Sequence, residues 1–104
     1  MAICNIIVDP NRTQEQRERI AAHVRGSGPV PPLGCRLVLL GRERAITVWD
    51  SSADRDRFLA ERLGPAYEAA GLSLDDVTRT QFDVEMLVAG DLAGMAPQLV
   101  GAED

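Results

Sequence analysis

Three residues, Gly41-Arg42-Glu43, separate two apolar runs near the middle of the chain, 35–40 and 44–50. So short a connection joins them as an antiparallel hairpin. Parallel pairing is excluded, because a crossover needs about a dozen residues or more. The rest of the fold must be assembled around this hairpin.

Upstream, residues 2–8 (AICNIIV) are apolar and β-branched and read as a mostly buried strand. Asp9-Pro10-Asn11 ends it. Thr13 then opens a helix, with Gln16 at capping-box spacing. Gly26-Ser27-Gly28-Pro29 stops that helix after about Arg25. Its apolar face is thin (Ile20, Ala21, Val24), so one side is strongly solvated. A Pro-rich linker, 30–33, leads into the hairpin.

Downstream, Ser51 caps a second helix with Asp54 at its N3 position. Phe58, Leu59, Leu63, Ala66 and Ala70 share one face of it. Pro65 has no N–H for the preceding turn, so Gly64-Pro65 predicts a kink or two short helices. Gly71 ends the second piece. Residues 77–88 then alternate as a half-exposed or cavity-lining strand. Phe82, Val84, Met86 and Val88 face one side; Gln81, Asp83 and Glu85 face the other.

The order β-α-β-β-α-β is that of a ferredoxin-like split motif. It predicts an α+β fold with an antiparallel sheet ordered 4-1-3-2 and both helices on one face. Cys4 and Cys35 would lie two strand spacings apart, roughly 9–10 Å, beyond the roughly 7 Å limit of a disulfide. They are expected to be reduced core residues. The uncovered sheet face also carries apolar residues, and a second copy is its simplest cover. Residues 1–90 are read as this domain. Residues 91–104 form a Gly-rich, acidic tail whose Leu92, Met95, Leu99 and Val100 either pack on a neighbour or hang loose.

At 104 residues the chain makes one domain. A domain this small buries only about two-thirds of its unfolded surface, so a partner subunit would help. A net charge of −5 argues against a nucleic-acid surface. No stretch approaches the roughly 18 apolar residues of a membrane span. Residues 1–8 lack the basic and apolar regions of a leader, so a cytoplasmic location is expected. No metal-ligand spacing and no Gly-rich phosphate loop are present, so no cofactor is implied.

Val48-Trp49-Asp50-Ser51, then Phe58, then Arg62-Leu63-Gly64-Pro65, resemble a pattern in the dimeric α/β-barrel superfamily, in its antibiotic-biosynthesis-monooxygenase-like branch. The element order extends the resemblance from Ala2 to about Val88. It implies a homodimer closing a dimeric α/β barrel, and a cofactor-independent enzyme acting on a hydrophobic phenolic or enolisable, polyketide-like small molecule. In the haem-degrading branch an Asn on the first strand, a Trp on the third strand and a His on the second helix line the pocket. Asn5 and Trp49 match the first two. The His is missing, since the lone histidine, His23, lies on the first helix; haem degradation is not expected.

The candidate catalytic residues are therefore Asn5, Trp49 and His23. Asn5 interrupts an apolar strand, and its amide either donates to a bound carbonyl or oxyanion or is satisfied by neighbouring backbone. Trp49 stacks on a flat ligand or fills the space under the second helix. His23 is an acid–base candidate or a structural histidine. Tyr67, Arg36, Phe58 and Arg62 are candidate substrate contacts. Asp83 and Glu85, two apart on one strand, are read as an edge guard or a subunit contact. Arg55 and Arg57, interleaved with acids, read as a solvated helix face. Two alternatives stand beside the oxygenase: a non-oxidative isomerase or cyclase of the same fold, and a non-catalytic ligand-binding or assembly protein.

Overall fold

A computed structural model of the chain describes residues 1–91. The expected tail lies outside the described residues from position 92 onward. The elements run β1 (Ile3–Val8), α1 (Gln14–Gly26), β2 (Cys35–Leu40), β3 (Arg44–Trp49), α2 (Ser52–Phe58), α3 (Gly64–Ala69) and β4 (Thr78–Asp83). The four strands form one antiparallel sheet in the order β2-β3-β1-β4. Element order and sheet order are those expected from the sequence, and the α+β architecture is compatible with a ferredoxin-like fold. No helix among the described residues is long and apolar enough to cross a membrane.

Local chemistry accounts for the element ends. Thr13 Oγ1 accepts from the Gln16 N–H at 3.1 Å, and Gln16 Oε1 accepts from the Thr13 N–H at 2.8 Å. That closes the capping box of α1. Ser51 Oγ accepts from the Asp54 N–H at 3.2 Å and starts α2. Gly34, just before β2, has φ +82, and a Cβ there would sit 2.5 Å from the Asp54 carboxylate. Only glycine allows the linker to pass so close to α2.

The break in the second helix falls earlier than expected. A π-helical turn, Leu59–Leu63, joins α2 to α3. Pro65 offers no N–H to Glu61, and the backbone adjusts one turn ahead: the Gly64 N–H reaches the Leu59 carbonyl. A Cβ on Gly64 would lie 2.9 Å from that oxygen. The wider turn rotates everything after it by about one residue. Tyr67, expected at the edge of the apolar face, therefore joins Ala66 and Ala70 in the core. These three pack with Ile20 of α1, flanked by Val24, Leu63, Leu72, Leu74 and Val77.

β4 is shorter than the 77–88 strand expected. Its sheet neighbour is β1, and the ladder ends at the pair Ile3↔Asp83, with one more bond from the Val84 N–H to the Ala2 carbonyl. Residues 85–88 have no strand left to pair with. Glu85 thus lies beyond the ladder, and its expected alignment with Asp83 on one strand is not formed.

Residues paired across strands share a sheet face. Ile3, Asn5, Ile7, Thr47, Trp49 and Gln81 lie on one face, which α2 covers: Phe58 stacks on Trp49, and Arg55 bonds Gln81. The opposite face carries Cys4, Ile6, Ile46, Val48, Leu37, Leu39 and Phe82. A bulge at Arg36 puts Cys35 on the Trp49 side. The two cysteines therefore occupy opposite faces as well as non-adjacent strands, and both are free. Burial pushes each thiol above its ordinary pKa.

Candidate functional site

A polar row crosses the helix-facing side of the sheet. Thr47 of β3, Asn5 of β1 and Gln81 of β4 are direct register partners. At about 4.8 Å per strand the row spans roughly 10 Å. Apolar residues surround its centre: Ile3 and Ile7 on β1, both buried, and Trp49 on β3, 1% exposed.

Each end of the row is satisfied. Trp49 Nε1 donates to Thr47 Oγ1 at 2.7 Å, and Thr47 Oγ1 donates to the Asn5 carbonyl at 3.5 Å. At the other end, Arg55 Nη1 donates to Gln81 Oε1. The centre differs. Asn5 is 5% exposed, yet its side-chain amide makes no hydrogen bond to any described residue. It is not sealed in either. The fully occluded, unpaired side-chain polar atom among the described residues is Arg12 Nε. The Asn5 amide therefore still borders water-sized space. A polar group in that condition is primed to bond whatever enters.

Trp49 and Phe58 pack against each other beside this row, ring centroids 5.4 Å apart and tilted by 39°. Phe58 also lines a shallow cleft of ≈ 120 Å³ between the linker (Pro29, Pro32, Leu33) and α2 (Arg57).

The other residues singled out from sequence are placed differently. Arg62 acts as a clasp: Nε donates to Ser27 Oγ at 3.1 Å, Nη1 to the Pro29 carbonyl at 2.7 Å and Nη2 to the Val24 carbonyl at 2.7 Å. Its guanidinium carbon lies 5.4 Å from the Phe58 ring centre. It ties the end of α1 and the linker to the second helical segment. Arg36 projects into solvent and pairs with Asp50 at 2.7 Å, which raises the guanidinium pKa further. His23 is exposed on α1. The structure thus gathers Asn5, Trp49, Phe58 and Arg62 along one side of the helical layer, with His23 and Arg36 outside.

Tyr67 belongs to a second buried polar group. Arg12 Nη1 donates to its hydroxyl at 2.9 Å, and the Asp9 carboxylate, 7% exposed, lies close enough to act on the same phenol. Burial is the main cause that raises the Tyr67 pKa, with Asp9 adding to it and Arg12 opposing it.

Three of these residues were missed by sequence reasoning. Asp9 looked like a strand terminator and Arg55 like a solvated helix residue, and Arg12 was not singled out. For Asp9, the signal was an acid directly following a buried strand. For Arg55 there was none, because its partner is 26 residues away.

Among the described residues, no group of three or more His, Cys, Asp or Glu side chains is placed to hold a metal ion. No family model matches this chain, and no curated protein or solved structure matches it.

Proposed function

We propose that this chain is a cofactor-independent small-molecule enzyme of the antibiotic-biosynthesis-monooxygenase-like kind, binding a flat hydrophobic phenol or enol on the helix-facing side of its sheet. The observation that carries the reading is the Asn5 amide, buried and unpaired at the centre of the polar row. Open to a water-sized probe and set among apolar neighbours, it is free to exchange water for a bound oxygen. An Asn5 N–H aimed at a phenolate or enolate oxygen stabilises the charge that develops on deprotonation. Trp49 and Phe58 supply the apolar aromatic surroundings.

With dioxygen as co-substrate, the activated carbon supplies the electrons. A CH₂ group becomes a carbonyl, one oxygen atom is retained, and the other leaves as water with the two substrate hydrogens. Isomerisation or cyclisation would use the same donor without oxygen. The opposite sheet face, with Leu39 52% and Phe82 54% exposed, would seat a second copy and close a dimeric α/β barrel. One observation favours a non-catalytic binding or assembly role instead: Trp49 is packed tightly against Phe58.

An oxygen-electrode screen of anthrone- and naphthol-type substrates, run aerobically and anaerobically with product analysis, tests the proposal. Asn5→Ala and Trp49→Phe should each abolish turnover while the dimer, followed by sedimentation, persists. Normal turnover by both variants would place the site elsewhere.

A further inference from the structure

We infer that Arg55 is the specificity determinant of the Asn5 site, selecting ligands that carry a carboxylate beside the oxygen bound by Asn5. This inference rests on the reading of Asn5 as a ligand donor and names the ligand class.

Arg55 lies on α2 with its side chain only 12% exposed, and it reaches over the sheet to Gln81. Gln81 is the direct cross-strand partner of Asn5, so the acceptor of Arg55 sits on the strand beside the unpaired amide and on the same sheet face. The guanidinium has acceptors on Nε, Nη1 and Nη2, none of them a buried carboxylate. Its acceptor on the sheet is a neutral amide oxygen. The acid it pairs with is its own sequence neighbour Asp56, whose Oδ1 accepts from Nε at 3.0 Å and lies 2.8 Å from Nη2, but whose side chain is 65% exposed. An ion pair screened to that degree holds an arginine weakly. Asp83, the acid two residues beyond Gln81, aligns with Ile3 and forms no ion pair with Arg55.

A nearly buried guanidinium facing a neutral oxygen gains most from a carboxylate. That exchange replaces one neutral hydrogen bond by a charge-assisted, bidentate pair. Gln81 is easily displaced, since every residue of β4 is exposed. A ligand with a phenol or enol oxygen on Asn5 and a carboxylate on the neighbouring carbon would satisfy both groups at once. The predicted class is the β-oxo acid or ortho-hydroxyaryl carboxylate.

Calorimetric titration with 3-hydroxy-2-naphthoate and with its methyl ester tests the inference. The wild-type chain should bind the carboxylate about tenfold more tightly than the ester, or better. Arg55→Gln should erase the preference, leaving the two probes within about twofold of each other. Arg55→Lys should keep part of it. Equal affinities in the wild-type chain, or a preference surviving in Arg55→Gln, would overturn the role of Arg55. Asn5→Ala should weaken both probes. No heat from either probe, or normal binding of both by Asn5→Ala, would instead overturn the site beneath it. Far-ultraviolet circular dichroism confirms that each variant is folded.

Discussion

The helical layer meets the sheet at two polar sites, and they are built on opposite principles. Around Tyr67, the buried phenol is held by Arg12 and Asp9, and Ala66, Ala70 and Ile20 close around it. Around Asn5, the row Thr47–Asn5–Gln81 is satisfied at both ends and open at its centre. The same sheet thus supports one site where the phenol has its partners and another where a donor is left over. A buried group with all its partners adds stability. A group left open to water adds little to the fold and stays free for a ligand.

Substitutions at the two sites should therefore separate stability from binding. The largest effect is expected at Tyr67. Tyr67→Ala removes a nearly fully buried ring and should cost about 3–5 kcal/mol in urea unfolding. Arg62→Ala is expected to come next, at about 1–3 kcal/mol, because it frees the carbonyls of Val24 and Pro29 together. A loss as large as that of Tyr67→Ala would mean that the clasp is part of the core.

The third effect is a pH dependence that belongs chiefly to the Tyr67 site. The folded state raises the pKa of Tyr67 above its ordinary 10.0, and those of Cys4 and Cys35 above 9.0. In the alkaline window the unfolded chain releases these protons first, so it binds fewer of them than the folded chain. Stability contributed by these groups is full below about pH 9 and is lost as the pH rises through the folded values. Urea midpoints between pH 8 and 11 should fall, and Tyr67→Phe should flatten the part of the decline above pH 10. A midpoint rising over that range would contradict the burial of these groups.

The smallest expected effect on stability lies at the open site. Arg55→Gln should change the unfolding free energy by less than about 0.5 kcal/mol, since its acid partner is largely solvated. Its consequence should appear only with ligand present.

Much of this contrast was invisible in the sequence, for definite reasons. Features written in neighbouring residues were legible: the Thr13–Gln16 capping box, the Ser51 cap and the tight connection at Gly41-Arg42-Glu43. From these the order of elements and the sheet order followed. The break in the second helix was legible as a fact but not in position. Gly64-Pro65 marks the cause, while the backbone adjusts in the five residues before it. The length of β4 was not legible, because its own alternation continues past the point where β1 runs out. Asn5 and Trp49 stood out as a polar residue in an apolar strand and as the sole tryptophan. Arg55 lay hidden in a run of alternating charges, since only the folded sheet brings Gln81 beneath it. Asp9, Arg12 and Tyr67 meet only once α1 and α3 pack together.

The central claim is that the Asn5 amide serves a ligand and not the fold. The unfolding free energy of Asn5→Leu, which keeps the branched four-atom side-chain skeleton, tests it most directly. The account expects a value equal to or above that of the wild-type chain, because no hydrogen bond within the fold is lost and an apolar group takes a largely buried position. A loss of about 2 kcal/mol or more would show that the amide is paired within the fold, and would contradict the account.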